Sequence, residues 1–291
     1  MALSGSLDRR ALLLATLVGC TGAADGAVAT LQLERRPGYP ATTSRLAASL
    51  GGNFQKSCHA TLVDSSWAIT AAHCFSGVEP SARGALRDFA RGFSVADVEL
   101  YPGAHVSGAS RVGSGWKRSD FLPAHDLALV PLRPPVTEVA PVSVWRPVEG
   151  CDLLASDGLV GELGLGDDEG DGWTAQAAIL GSVAAASLLG ARYMGSLVAA
   201  RGPSVGPGDS GSGMTAVWDE LQAAAPGCEP LEETFPGQSV LVGVVQDANP
   251  TDPSARFGLV PIYDPEHACW LESVLDATPA APDSQPPLLP P

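Results

Sequence analysis

Three short segments of this chain hold residue types that could together perform nucleophilic and acid–base chemistry. "TAAHC" (70–74) supplies His73, "HDLALV" (125–130) supplies Asp126, and "GPGDSGSG" (206–213) supplies Ser210 in a run where four of eight residues are glycine. A serine hydroxyl is too weak an acid to attack an amide at neutral pH. It needs a base to take its proton, a carboxylate to orient that base, and N–H donors for the oxyanion. Histidine suits the base, because its unperturbed pKa of roughly 6.5 lets it accept and return a proton there. His73 is the candidate base, Asp126 its orienter and Ser210 the nucleophile. Asp120 competes with Asp126, but it adjoins no apolar strand and reads as a surface acid, while His125 reads as a partly buried structural residue. A turn that needs only flexibility is the other reading of 206–213.

Gaps of 53 and 84 residues separate the three candidates, so a fold must gather them. The elements available are short. "CHATLVDSSWAITAAHCF" (58–75) holds two strand-like runs around the turn "DSS", and "DLALVPL" (126–132) is a β-rich run stopped by "RPP". "DGLVGELGLG" (157–166), "QSVLVGVVQD" (238–247) and "FGLVPIY" (257–263) read as buried strands. "DPEHACWLESVLD" (264–276) predicts a helix with Pro265 near its start, and the Ala-rich run at 177–193 fits helix or strand. Many short strands and one terminal helix predict an all-β architecture, two barrels or a sandwich.

Composition agrees and excludes several functions. Apolar residues make up 45% of 291, enough for a sizeable core, and 33 glycines with 25 prolines favour turn-rich β structure. Acids outnumber bases 32 to 17, and the resulting charge of −15 repels nucleic acid and anionic headgroups, so neither is an expected partner. No CxxC or HExxH spacing supports a zinc site, "DDEGDG" (167–172) reads as a solvated loop, and no metal or other cofactor is expected.

The N-terminus reads as an export signal (1–19), with Arg9 and Arg10 before the apolar run "ALLLATLVG" (11–19). The tetrapeptide "LVGC" (17–20) resembles a bacterial lipobox. That resemblance implies lipidation of Cys20 and membrane attachment through it, giving a cell-envelope lipoprotein; cleavage near "TGA" (21–23), giving a secreted protein, is the competing reading. A lead-in segment (20–45), a main domain (46–276) and a proline-rich tail (277–291) complete the organisation. Six cysteines suit an exported chain. With Cys20 set aside, five remain, so at least one is left without an intrachain partner.

Together, "AITAAHC", "HDLALV" and "GDSGSG" resemble the trypsin/chymotrypsin-like serine proteases, over about residues 46 to 275. The resemblance implies two packed six-stranded β-barrels with a C-terminal helix and a triad in the cleft between them. It implies the roles already given to His73, Asp126 and Ser210, and an oxyanion hole from the N–H groups of Gly208 and Ser210, with Gly208 and Gly211 letting the backbone turn tightly against the scissile carbonyl. It also implies a Cys58–Cys74 disulfide closing the histidine loop. Cys269 is left to pair with Cys151 or Cys228.

The chain departs from the family pattern in three places. No "IVGG"-like sequence precedes the first barrel to supply an activating ammonium for Asp209. Ser204 stands at the pocket floor where trypsin-like enzymes carry an acid, which implies an uncharged pocket. Gln246, Asp247 and Ala248 replace the usual "SWG" wall, while Gly258 keeps the opposite wall small. Two functions follow as expectations. One is a serine endopeptidase acting on protein or peptide substrates; the other is a proteolytically silent fold acting as a binding module. An α/β-hydrolase is excluded by the order of the three residues and by Ser212 where GxSxG requires glycine.

Overall fold

The apolar alternation around the three segments folds as strands. The computed structural model describes residues 35–37, 40–50, 54–102, 104, 125–144, 160–166, 172–180, 197–200, 205, 208–219, 238–248, 257–262 and 264–276. The signal segment, Cys20, Asp120, Cys151, Ser204, Cys228 and the tail lie outside these residues. In chain order the strands are β1 (Arg35–Pro37), β2 (Thr43–Leu50), β3 (Phe54–Asp64), β4 (Trp67–Thr70), β5 (Arg83–Leu86), β6 (Arg91–Ser94), β7 (Glu99–Leu100) and β8 (Ala128–Pro131). There follow β9 (Ser143–Val144), β10 (Val160–Gly166), β11 (Gly172–Leu180), β12 (Leu197–Ala200), β13 (Gly213–Val217), β14 (Ser239–Ala248), β15 (Phe257–Pro261) and the helix α1 (Pro265–Leu275).

The first sheet runs β6-β5-β2-β3-β4-β8-β7, and a bridge between Gly92 on β6 and Arg133 just after β8 draws its two ends together. The second runs β1-β11-β10-β13-β14-β15-β12, and pairing of β11 with β12 closes its six longer strands into a barrel. Two barrels are thus formed. They count seven and eight strands because β7, β1 and β9 are two- or three-residue pieces added to six-stranded frames.

One apolar core holds the first barrel to its neighbours. Leu46, Leu62, Ile69, Leu86, Leu127 and Leu129 are fully buried there, each contributing about 1.5–3 kcal/mol of burial. Leu241 and Val244 of β14, Val260 of β15 and Leu271 of α1 join the same cluster, so the seam beside the active-site strands is packed rather than open. Helix α1 starts where Asp264 accepts the Glu266 N–H (2.9 Å) with Pro265 at its first position, which is an N-cap suited to proline's missing donor.

Two expectations are corrected and one open reading is decided. The lead-in (20–45), expected to precede the folded domain, already holds strand: β1 pairs with β11, and β2 begins at Thr43 with Thr43 and Ser44 buried. Those residues are strand because they lie within the β2–β3 ladder, which runs from Thr43↔Thr61 to Leu50↔Phe54. Cys269 forms no bridge; its thiol is free on an exposed position of α1. The Ala-rich run starts as strand, since β11 continues through Leu180, and its remainder lies outside the described residues.

Candidate active site

Strand register brings His73 to Asp126. β4 and β8 are antiparallel, with Thr70 opposite Ala128, so the chain leaving β4 lies beside the chain entering β8. His73 sits three residues past the end of β4, in a 3₁₀ turn (Ala72–Phe75), and Asp126 two residues before β8. The His73 backbone N–H donates to Asp126 Oδ1 (2.8 Å), and Nδ1 donates to Oδ2 (2.6 Å). A carboxylate oxygen only accepts, so Nδ1 carries the proton and Nε2 is the nitrogen left for proton exchange. Asp126 is wholly buried, while the His73 side chain keeps 31% exposure. Two charge-assisted bonds to the imidazole and its backbone offset the cost of that burial.

The Cys58–Cys74 disulfide ties β3 to the His73 turn, with Cα atoms 6.2 Å apart. Closing a loop of this size is worth about 3 kcal/mol in the chain-entropy model. His73 and the two cysteines are the grouping among the described residues whose ligand atoms approach to within 4.8 Å of one another, as in a metal site. Its donor set does not fit a metal: the two sulfurs are bonded to each other and Nδ1 is committed to Asp126.

Both barrels hold the Ser210 loop. From the second barrel, Asp209 Oδ1 accepts the Gly166 N–H (2.9 Å), Gly211 N–H donates to Val245 O (2.7 Å), and the Ser212 hydroxyl donates to Gly164 O. From the first, His59 N–H donates to Ser210 O (2.8 Å) and the Thr61 hydroxyl accepts the Gly213 N–H (2.8 Å). The Ser210 carbonyl oxygen also lies 3.8 Å from Cys74 Sγ, so the main chain of the loop reaches the residue that follows His73.

Gly208 and Gly211 have φ of +104° and +88°, which L-residues with a side chain rarely adopt. At Gly211 a Cβ would stand 2.1 Å from both His59 O and Thr70 Oγ1, so this glycine lets the loop abut β3 and β4. Among the described residues, neither the Gly208 N–H nor the Ser210 N–H has a protein acceptor.

Ser210 Oγ lies 3.5 Å from the carbonyl oxygen of Gln246. The Gln246 side chain is buried with Oε1 lacking a partner, at the register shift between Val245 and Asp247 of β14. Asp247 and Gly258 are paired across β14 and β15, and Gly258 is buried. The other expected pocket residue, Ser204, is outside the described residues.

Four contributors escape sequence reasoning: His59, Thr61, Thr70 and the Gly164–Gly166 stretch. The sequence signals for them are the position of His59 next to Cys58 and of Thr70 at the head of "TAAHC". His125 is half-buried and packs against Tyr101 (ring centroids 5.1 Å apart), which in turn meets His267 and Trp270 of α1. Burial and the nearby Glu266 push the Tyr101 hydroxyl pKa up to about 12, and burial holds His267 below the usual histidine value. This cluster joins α1 to the segment before Asp126 and supplies no group to Ser210.

Comparison with known proteins gives three findings. A family model described as Trypsin matches residues 37–223. The solved structure titled as HL collagenase is similar in fold, at a TM-score of 0.53 and 14% identity, covering 84% of this chain and 98% of that one. No curated protein matches the chain.

Proposed function

Since the chain belongs to the trypsin family, a family of serine proteases, we propose that it is a serine endopeptidase working through an acyl-enzyme. The observation that carries this reading is the His73–Asp126 pair, hydrogen-bonded twice and buried on the Asp126 side, beside the glycine-rich Ser210 loop. Ser210 Oγ attacks the carbonyl carbon of a protein or peptide substrate while His73 Nε2 takes its proton. Asp126 stabilises the imidazolium and holds it in one tautomer. The N–H groups of Gly208 and Ser210 receive the oxyanion. The C–N bond then breaks, the amine leaves with the proton from His73, and water repeats the sequence on the acyl ester to free Ser210. Ser204 gives an uncharged pocket floor and a preference for apolar or aromatic residues, with Gln246, Asp247 and Gly258 as its walls. The signal segment exports the chain, and a lipid on Cys20 anchors it in the cell envelope.

Covalent labelling with a fluorophosphonate probe tests the reading, with Ser210→Ala as control. Labelling of the parent that vanishes in the variant is the expected result. Labelling that appears only after limited proteolysis indicates an inactive precursor. Silence under both conditions selects the binding-module reading, which the replaced pocket wall at 246–248 favours. Palmitate incorporation that is lost in Cys20→Ala checks the anchor.

A further inference from the structure

His59 grips the Ser210 loop at two points. Its backbone N–H donates to Ser210 O and its Nδ1 lies 2.8 Å from Gly208 O. A carbonyl only accepts, so Nδ1 must carry the ring proton. The two held carbonyls bracket the tripeptide Gly208–Asp209–Ser210, whose end residues present the two N–H groups assigned above to the oxyanion. His59 is itself fixed. It is 2% exposed, and the Thr70 hydroxyl donates to its carbonyl (2.6 Å) from the end of β4, the strand that leads to His73.

The loop needs such a restraint. Gly208 sits at φ +104° with no side chain to limit rotation, and glycine has the widest backbone freedom of any residue. Ser210 N–H points correctly only if the peptide on its N-terminal side is fixed. Asp209 is held through Gly166 from the second barrel. The carbonyl before it is held by the imidazole from the first.

We propose that His59 is a positioning residue whose Nδ1–H locks the Gly208 carbonyl and so keeps the Gly208–Ser210 peptides in the oxyanion-binding arrangement. This rests on the serine-endopeptidase reading. The imidazole works in its neutral form: burial lowers its pKa to about 4, against the opposing pull of the Gly208 hydrogen bond and of Asp88, with Arg45 adding to the lowering. A neutral histidine protonated on Nδ1 is the less common tautomer in water, which gives the clamp a signature of its own.

The test combines spectroscopy and kinetics on the full exported chain. Long-range ¹H–¹⁵N NMR of the imidazoles is expected to show His59 as the Nδ1–H tautomer, unchanged between pH 7 and pH 5. An Nε2–H tautomer, or titration within that range, would overturn the proposal. For His59→Leu the maximal rate of fluorophosphonate labelling is expected to fall by about tenfold to a hundredfold, with the probe concentration for half-maximal rate unchanged. His59→Asn, whose amide nitrogen reaches the Nδ1 position, should recover most of that loss. Should the leucine variant not fold, His59→Gln takes its place, since its amide reaches the Nε2 position instead. Equal rates in parent and leucine variants, or no recovery in a folded asparagine variant, would refute the assignment. If the parent is inert to the probe both before and after limited proteolysis, the endopeptidase reading fails while the tautomer still decides whether the clamp exists.

Discussion

Gly211→Ala separates two reasons a glycine can be needed, because Gly77 supplies its control. Both have positive φ, +88° at Gly211 and +77° at Gly77, so an alanine at either position meets the same backbone penalty of about 1–2 kcal/mol. The reduced freedom of the unfolded chain offsets about 0.4–1 kcal/mol of this at both sites. Only Gly211 has neighbours in the way. Its Cβ would lie 2.1 Å from His59 O and Thr70 Oγ1, whereas nothing stands within 4 Å of a Cβ at Gly77. His59 O is main chain within a β-ladder and cannot rotate aside. The overlap therefore adds a strain of the size seen for overpacked cores, about 1–3 kcal/mol. Urea unfolding of both variants, disulfide intact, should give Gly211→Ala an extra loss of about 1–3 kcal/mol over Gly77→Ala. Its fluorophosphonate labelling should also slow, since the loop must back away from β3. Equal losses in the two variants, with labelling unchanged, would refute the claim that Gly211 is dictated by contact between loop and first barrel.

Three further outcomes follow from the same geometry. Asp126→Asn should lower the labelling rate by about 10⁴-fold, the magnitude of the general triad case, because the amide favours the wrong His73 tautomer; a loss under tenfold would remove Asp126 from the mechanism. Replacing Cys58 and Cys74 together by alanine should cost about 3 kcal/mol in denaturant unfolding, and a cost near zero would show that the loop needs no closure. Stability should also fall with acid through His59. Its folded pKa of about 4 lies below the unfolded value of about 6.5, so the folded state binds fewer protons in that window. The contribution is complete above pH 6.5 and is lost as pH falls toward 4, on the order of 3 kcal/mol, with His267 acting in the same direction. His59→Asn should flatten the curve measured by urea unfolding at pH 7 and pH 4.5.

What the sequence discloses is what local pattern can encode. The β3–β4 hairpin is legible from two apolar runs around Ser65 and Ser66, and α1 from Pro265 and its apolar side. The two barrels follow from the three motifs once these are read as a set. β1 is invisible because "RRP" has no strand character of its own; pairing with Trp173, Thr174 and Ala175 of β11 makes it a strand. The free Cys269 escapes for a similar reason, since counting cysteines says nothing of which face of α1 they occupy. Within the site, His73 and Asp126 are legible because each is flanked by its own strand. His59 is not, since its meaning lies in a carbonyl 149 residues away.

The distinction has a physical source. Catalytic side chains need particular functional groups, so they leave a mark in the alphabet. The residues that shape a backbone act through N–H, C=O or a missing Cβ, which every sequence contains. Gly164, Gly166 and Gly211 contribute respectively an acceptor to Ser212, a donor to Asp209 and an empty space against Thr70. None of the three would look different in a flexible turn. Because the loop takes its shape from both barrels at once, any change that shifts one barrel against the other must reach the Gly208 and Ser210 N–H groups. Core substitutions along the seam at Leu241 or Val260 should therefore slow labelling by more than their loss of stability accounts for, whereas equal burial lost at Leu165, outside the seam cluster, should not.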